Sequence, residues 1–159
     1  MDASDLDLLV ESALPAVRGI VAIAMRSLDA SPVPLTLPQY RVLVALAESG
    51  PTRAAALAGL LGVEGSTVTR MCDRLLRDGL IVRRAERSDR RAVRVGLSAL
   101  GQEAVESVRA RRRTEFAGLL QAIPNHRRAL VVTALQEIDA ASRTSASPSP
   151  APSTLSWIA

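Results

Sequence analysis

The stretch from Thr52 to Asp78, TRAAALAGLLGVEGSTVTRMCDRLLRD, decides the fold. Its first part is a short segment rich in Ala and Leu, which Thr52 can cap and Gly62 can end, because glycine tolerates a positive φ. After a turn at Val63 to Gly65, apolar residues return every three or four positions, which is typical of an amphipathic helix. A short helix, a tight turn and a second helix that begins with hydroxyls predict a helix-turn-helix of the DNA-recognition type.

The second helix of this pair is predicted over about Gly65 to Asp78. Its apolar face consists of Val68, Met71, Cys72 and Leu75. In the major groove of double-stranded DNA, hydroxyls can bond to phosphates or bases, and an arginine can hold the O6 and N7 atoms of a guanine. The candidate DNA-contacting residues of this helix are Ser66, Thr67, Thr69, Arg70 and Arg74. For the helix alone, the alternative interpretation is a solvated charged face.

A β-hairpin is predicted directly after this helix, which Gly79 ends. Leu80 to Arg84 and Ala92 to Leu97 have the pattern of two strands, joined by a polar connector at Ala85 to Arg91. The hairpin carries six arginines, namely Arg83, Arg84, Arg87, Arg90, Arg91 and Arg94. Their mutual repulsion disfavours folding unless an anion such as DNA phosphate neutralises it.

The rest of the chain is predicted to be helical. An apolar stripe from Leu6 to Leu28 indicates a first helix, which Pro15 should kink or whose true start it should mark. Further helices are predicted from Thr36, with Pro38 in its first turn, to Gly50; from the cap Ser98 to about Ala122; and from Pro124 to near Ala141. Residues 142–159 are rich in Ser, Pro and Ala and are expected to form a flexible tail.

Several short motifs, in their order along the chain, resemble the MarR family of bacterial regulators over about Leu6 to Ala141. They are Leu35-Thr-Leu-Pro-Gln-Tyr-Arg-Val-Leu43, Leu57-Ala58, Leu61-Gly62-Val63, Ser66-Thr67-Val68-Thr69-Arg70, Leu75, Asp78-Gly79-Leu80-Ile81 and Arg84. The hairpin adds Ser88-Asp89-Arg90-Arg91, Val95, Leu97-Ser98 and Gly101, which are similar to the family's acidic-x-arginine wing, Leu-Thr pair and glycine. No single motif is decisive, but their order is.

This resemblance implies the fold: mostly α with a small β-hairpin wing, a winged helix-turn-helix with N- and C-terminal dimerisation helices. It implies one domain over residues 1–141, with a DNA-binding lobe at about 36–97 and dimerisation helices at about 5–29 and 98–141. It also implies that Arg91 enters the minor groove, that Asp89 braces the wing and that Arg90 lies next to phosphates; pairing of Asp89 with Arg91 within the turn is the alternative. Glu64 departs from the pattern, because a hydroxyl cap is commoner there, and Gly65 weakens the helix start.

Charge and composition agree with an anionic partner. All twenty basic residues are arginine, which suits phosphate and guanine but is also what a GC-rich coding bias produces. Residues 66–113 contain thirteen Arg and six acids, a net +7, whereas residues 1–52 have a net charge of −3. A single cysteine, the absence of a run of about eighteen apolar residues and an N-terminus without a basic flank predict a cytoplasmic protein with no membrane partner.

A few other residues invite functional interpretations that the sequence does not favour. Cys72 is expected to pack in the core rather than to sense oxidants, and His126 to be a solvated surface residue. The run of Arg109 and residues 111–113 is expected to be a solvated face, with Glu115 paired to Arg111 or Arg112. The candidates for a small-molecule pocket are Tyr40, Arg18 and Met25, although nothing distinguishes them from ordinary core, and the effector-binding residues are unknown.

These observations predict a homodimeric, sequence-specific transcriptional regulator. It would be a repressor that a small-molecule effector releases from a pseudo-palindromic operator. An enzyme is not expected, because the sequence offers no catalytic residues, no metal site and no cofactor-binding motif. The alternative is a winged-helix adaptor that acts through protein contacts, although adaptors can lose the basic face that this chain keeps.

Overall fold

The computed structural model of the protein describes residues 3–85 and 93–145. Within these ranges the elements are α1 (Ala3–Arg26), a 3₁₀ turn (Ser27–Ala30), α2 (Leu37–Ser49), α3 (Ala54–Leu61), α4 (Gly65–Arg77), β1 (Ile81–Ala85), β2 (Val93–Leu97), α5 (Ala99–Ala122) and α6 (Asn125–Ser145). The predicted class, mostly α with a small β-hairpin in a winged helix-turn-helix, is confirmed.

The start of α2 is held by a reciprocal capping box. The Thr36 hydroxyl accepts from the Gln39 backbone N–H, and Gln39 Oε1 accepts from the Thr36 backbone N–H at 2.9 Å and from its hydroxyl at 2.8 Å. Pro38 occupies the first turn, where its missing N–H costs nothing. At the other end Gly50 takes a positive φ of 69° and stops the helix, as predicted.

Thr52 does not cap α3, contrary to the sequence prediction. The N-cap residue is Arg53, and Thr52 forms an isolated antiparallel bridge with Val95, each backbone N–H donating to the other's carbonyl at 2.9 Å. The Thr52 hydroxyl donates to the carbonyl of Gly50 at 2.8 Å. The extended backbone of Thr52 is therefore used by the wing rather than by the helix. Gly62, with φ 64° and ψ 35°, ends α3 as predicted.

The end of α4 leads directly into the wing. Gly79 adopts a φ of 73°, its N–H donates to the carbonyl of Leu76, and the Leu80 N–H donates to the carbonyl of Leu75 at 2.9 Å. This pattern is a Schellman motif, which reverses the chain at a glycine. β1 and β2 then pair antiparallel, with Ile81 opposite Leu97. β1 starts one residue later than predicted, and β2 is described from Val93 to Leu97.

One apolar core joins α2, α3, α4, the wing and the first half of α5. Its fully buried large side chains are Tyr40, Leu43, Leu57, Leu75, Leu80, Ile81, Val42, Val44, Val68, Val105 and Val108. Cys72 is part of this core, and burial raises the pKa of its thiol, so the thiol stays protonated. The prediction that Cys72 packs in the core is confirmed.

The start of α5 is bound to the end of α4 by Ser98. Its hydroxyl accepts from the Gly101 N–H at 3.0 Å and donates to the carbonyl of Gly79 at 2.6 Å, while its own N–H donates to the carbonyl of Leu80 at 3.1 Å. Gly101 packs so closely on the Leu80 carbonyl that a Cβ atom at position 101 would overlap it. The predicted cap is confirmed, and glycine at 101 has a steric reason.

Arg112 is buried, contrary to the expectation of a solvated arginine run. It is 4% exposed and donates to the Ser27 hydroxyl at 3.0 Å, and its guanidinium lies 5.2 Å from the centre of the Tyr40 ring. Burial lowers the pKa of Arg112 from its ordinary value. Its neighbour Arg111 pairs with Glu115 at 2.9 Å, as predicted. Arg112 therefore links α5 to the end of α1.

Apolar side chains on α1 and α6 are exposed. Those more than 40% exposed are Leu6, Leu8, Leu9, Val10, Val17, Val21, Met25, Leu130 and Ile138. Pro15 lies inside α1 and does not mark its start, and α6 continues to Ser145 rather than ending near Ala141. By length and composition alone, the helical segment Ser4–Ala30 is apolar enough to cross a membrane, whereas the sequence analysis expected no such segment.

Candidate nucleic-acid interface

The exposed side of α4 collects the five DNA-contacting residues that the sequence predicts on this helix. Ser66, Thr69, Arg70 and Arg74 are exposed, and Thr67 is half-buried. The opposite side of the helix holds Val68, Cys72 and Leu75 in the core. Because the buried side anchors α4, its polar side is presented to solvent in a fixed orientation.

The first turn of α4 has no side-chain cap. Glu64 is the N-cap residue, with an extended backbone, and its side chain makes no capping hydrogen bond. Gly65 and Ser66, which follow it, are exposed. The partial positive charge of the helix N-terminus is therefore open to an anion at this end of α4.

The Thr69 hydroxyl is already used inside α4. It donates to the carbonyl of Gly65, four residues earlier, at 2.9 Å. Its oxygen retains lone pairs that can accept from the amino group of a base. Phosphate oxygens only accept hydrogen bonds. To donate to a phosphate, the Thr69 hydroxyl must therefore give up its hydrogen bond to the Gly65 carbonyl.

The wing is tied to α4 by an ion pair between Arg83 and Asp73. The Arg83 Nη2 atom lies 3.3 Å from Asp73 Oδ1, and both side chains are more than half exposed. An exposed pair of this kind contributes little to stability. It does engage one of the six hairpin arginines, and an anion at Arg83 would compete with Asp73.

Two other wing arginines face each other across the hairpin. Neither is among the DNA-contacting residues predicted from the sequence. Arg84 pairs in register with Arg94, and both are exposed. Directly opposite residues of an antiparallel pair project from the same side of the sheet, where like charges destabilise the pairing. A bound phosphate would remove this repulsion. Predicting that Arg84 lies opposite Arg94 requires the exact pairing of residues between the two strands, and the sequence analysis did not establish that pairing.

The remaining predicted wing residues lie outside the described part of the chain. Asp89, Arg90 and Arg91 fall between the two described ranges, 3–85 and 93–145. Their assigned roles in bracing the wing, approaching phosphates and entering the minor groove stay predictions.

The residues suggested for a small-molecule pocket do not share one environment. Tyr40 is fully buried, and burial raises the pKa of its hydroxyl. Arg18 and Met25 are exposed on α1. His126 is exposed near the start of α6, and the described residues hold no group of three or more His, Cys, Asp or Glu side chains suited to a metal ion.

Comparison with known proteins assigns this architecture to a family. The MarR family model matches residues 35–93, the span from the start of α2 into the wing. RV1404 from Mycobacterium tuberculosis is 35% identical, with a TM-score of 0.79, over 89% of this chain and 94% of that one. The chain belongs to the MarR family. The family and its fold are those of transcription regulators rather than enzymes.

Two further relatives agree with this assignment. A MarR family protein from Bacillus stearothermophilus has the same fold, with a TM-score of 0.76 at 22% identity over 90% of this chain and 99% of that one. The chain is 33% identical over 90 residues to an uncharacterised HTH-type transcriptional regulator, YhbI, of Bacillus subtilis (strain 168). This match covers 57% of the chain and only 58% of the length of YhbI.

Proposed function

We propose that this MarR-family chain is a sequence-specific DNA-binding regulator that acts as a homodimer. The observation that carries the proposal is the pair of facing arginines, Arg84 and Arg94, next to the exposed polar side of α4. Such a surface is stabilised by a polyanion with phosphates at regular intervals, which is what duplex DNA offers. A neighbour of the same fold, a mutant of S. aureus MepR, is bound to an oligodeoxyribonucleotide; it is 18% identical, with a TM-score of 0.61.

In this proposal α4 lies in the major groove and the wing follows the adjacent backbone. Ser66, Thr67 and Thr69 contact phosphates or base edges, and Arg70 and Arg74 are candidates for guanine. At the wing, the family resemblance assigns Arg91 to the minor groove, Arg90 to phosphates and Asp89 to bracing the turn. The exposed positions of the α4 residues support the first part of this assignment.

The dimer is proposed because one apolar side of α1 has little cover within the described chain. Val10, Val17 and Val21 follow one side of this helix, and each is close to half exposed. A second copy of the helix would remove this surface from water. A lipid bilayer is the less suitable cover, because charged residues occur along the same segment, at Asp5, Asp7, Glu11, Arg18, Arg26 and Asp29. A cytoplasmic location accompanies this proposal.

Repression relieved by a small molecule is the regulatory part of the proposal. Two recognition helices of a twofold dimer must match successive major grooves, about 34 Å apart. An effector that binds a conformer with a different spacing therefore releases the operator. The effector is not specified by the residues described above.

The proposal is tested by titrating the purified protein on its own upstream intergenic DNA and on scrambled DNA at two salt concentrations, with the mass of the free protein measured alongside. We expect a dimer, a preference on the order of a thousandfold and an affinity that falls steeply with salt. Arg84→Ala should weaken binding to both DNAs and lower the salt dependence by about one counterion. Arg127→Ala, an equal charge change on the exposed start of α6, is the control and should leave binding unchanged.

Two results would contradict the proposal. A monomeric protein would remove the dimer. A dimer with no preference for any DNA would favour an adaptor that acts through protein contacts.

A further inference from the structure

A cavity of about 260 Å³ lies between the start of α2 and the exposed side of α4. It is open to solvent. Its lining consists of Thr36, Gln39, Thr67, Arg70, Met71 and Arg74. Both charged residues of this lining are arginines, and no acidic side chain is among the described residues that form it. The cavity therefore suits an anion and not a cation.

Gln39, which lines this cavity, carries a buried hydrogen-bond donor. Its side chain is 4% exposed, and its Nε2 atom has no hydrogen-bond partner among residues 3–85 and 93–145. A buried polar group without a partner is unfavourable, and native proteins satisfy nearly all such groups. An acceptor in the cavity would satisfy this one.

The orientation of the Gln39 amide is fixed by the capping box. Oε1 accepts from the Thr36 N–H at 2.9 Å and from the Thr36 hydroxyl at 2.8 Å. Exchanging oxygen and nitrogen would place an amino group against the Thr36 N–H, two donors that cannot bond to each other. The capping box therefore fixes Oε1 on Thr36 and leaves Nε2 as the amide atom without a hydrogen-bond partner among the described residues, and both Thr36 and Gln39 line the cavity.

We propose that this cavity is an oxyanion site that takes a backbone phosphate of the bound DNA, with Gln39 Nε2 donating the buried hydrogen bond. This inference rests on the proposed DNA-binding function. Arg70 and Arg74 flank the same opening, so they neutralise the phosphate that Gln39 orients. A helix in the major groove runs beside two phosphate backbones, and in this proposal one of them passes the start of α2. At least one of the two arginines is then a phosphate contact rather than a guanine contact.

The variant that tests this site is Gln39→Glu. Glutamate keeps the acceptor that the capping box needs and has nearly the same shape, but it replaces the Nε2 donor with a carboxylate oxygen. The control is Gln121→Glu, which makes the same charge change at an exposed position near the end of α5. A melting curve for each variant checks that folding is retained.

The first arm measures DNA affinity at several salt concentrations. Relative to Gln121→Glu, we expect Gln39→Glu to lose at least about tenfold in affinity, equally on operator and scrambled DNA, with the salt dependence reduced by about one counterion. A loss on the operator alone would overturn the phosphate assignment in favour of a base contact. No loss beyond that of the control would overturn the site.

The second arm uses inorganic phosphate. It distinguishes a site for a DNA backbone phosphate from a site for a free oxyanion. Phosphate is titrated against the wild type and Gln39→Glu, with the melting temperature as the readout for both proteins and the NMR signal of the Gln39 side-chain amide as a further readout for the wild type. If the wild type but not Gln39→Glu binds phosphate saturably, and the wild type does not bind DNA in the first arm, the site belongs to a free oxyanion. That result would contradict the proposed DNA-binding function. Absence of binding in both arms would overturn both the site and the proposed function.

Discussion

The winged lobe and the terminal helices bury their apolar residues to very different extents. In the lobe, Tyr40, Leu57 and Leu75 are completely buried against neighbours from the same chain. In the terminal helices, Leu8 is 68% exposed and Leu130 is 69% exposed. Both regions show amphipathic patterns of the kind that predicts a helix. The pattern thus identifies the side of a helix that needs cover, and only the structure distinguishes cover within the chain from cover by another molecule.

The largest effect is expected from Val17→Glu, which places a charge on the exposed apolar side of α1 and should dissociate the proposed dimer. Burying one Val side chain stabilises by at least about 1.5 kcal/mol, and a twofold dimer buries two of them. In the variant, two carboxylates would have to be buried in their place, which adds a further cost. We expect about 4 kcal/mol per dimer, which is roughly a thousandfold rise in the dissociation constant. Sedimentation over a range of protein concentrations measures this constant.

Ser12→Glu is the matched control for the dimer. It adds the same charge to α1 at an exposed position about 140° around the helix from Val17. We expect it to leave the dimer intact. Equal dissociation by both variants would show that added charge, not the apolar stripe, controls assembly, and unchanged dimers of Val17→Glu would remove the stripe from the interface.

A second prediction concerns the lobe, where Gly101→Ala introduces a methyl group against the Leu80 carbonyl. Overpacking of this kind costs about 1 to 3 kcal/mol, and contact with a backbone atom places this variant near the upper end of that range. Urea denaturation at fixed protein concentration measures the loss. Gly118→Ala in the same helix has no atom within 4 Å of the new Cβ and should instead stabilise by about 0.5 to 1 kcal/mol. Equal stability of the two variants would show that the junction yields to the added methyl.

The smallest effect is expected where α1 meets α5. Arg26 and Arg111 donate to Glu115 at 2.8 and 2.9 Å and lower the pKa of its carboxyl below the ordinary value of 4.5. The ionised carboxylate therefore stabilises the fold above about pH 4.5, and this contribution is lost as the pH falls through the lowered pKa. Glu115→Gln should reduce the melting temperature by no more than about 2 °C at pH 7, because exposed pairs are weak.

Melting curves between pH 7 and pH 3 check the Glu115 prediction. The difference between Glu115→Gln and the wild type should shrink as the carboxylate is protonated. Glu103→Gln, the same change at an exposed position on α5, should not show this convergence. A constant difference at all pH values would assign the effect of Glu115→Gln to packing rather than to charge.

Local chemistry explains which features could be predicted from the sequence. The capping roles of Thr36 and Ser98 and the helix-ending role of Gly62 depend on contacts within a few residues, and these roles were predictable. Thr52 also has the chemistry of a cap, but a bridge to Val95, distant in sequence, takes its backbone. Arg112 was expected in solvent because its neighbours are charged, whereas the turn at Ser27 supplies a buried acceptor for it.

The candidate site divides in the same way. Helical periodicity placed Ser66, Arg70 and Arg74 on the exposed side of α4. The facing pair of Arg84 and Arg94 depends on the exact strand register, which the sequence gives only to within a residue. The Gln39 amide could not be found from sequence, because a capping glutamine is an ordinary residue until α4 is packed beside it.

Ser98 hydrogen-bonds the start of α5 to the end of α4 and to the residue before β1, so a movement of α5 would be passed on to both. One side chain joins the carbonyl of Gly79, at the end of α4, to the N–H of Gly101, in the first turn of α5, and the Leu80 carbonyl before β1 is bonded to the same residue. The 24 residues of α5 span about 36 Å. A tilt of about 5° about its far end moves its start by roughly 3 Å, and α4 and the base of the wing travel with it.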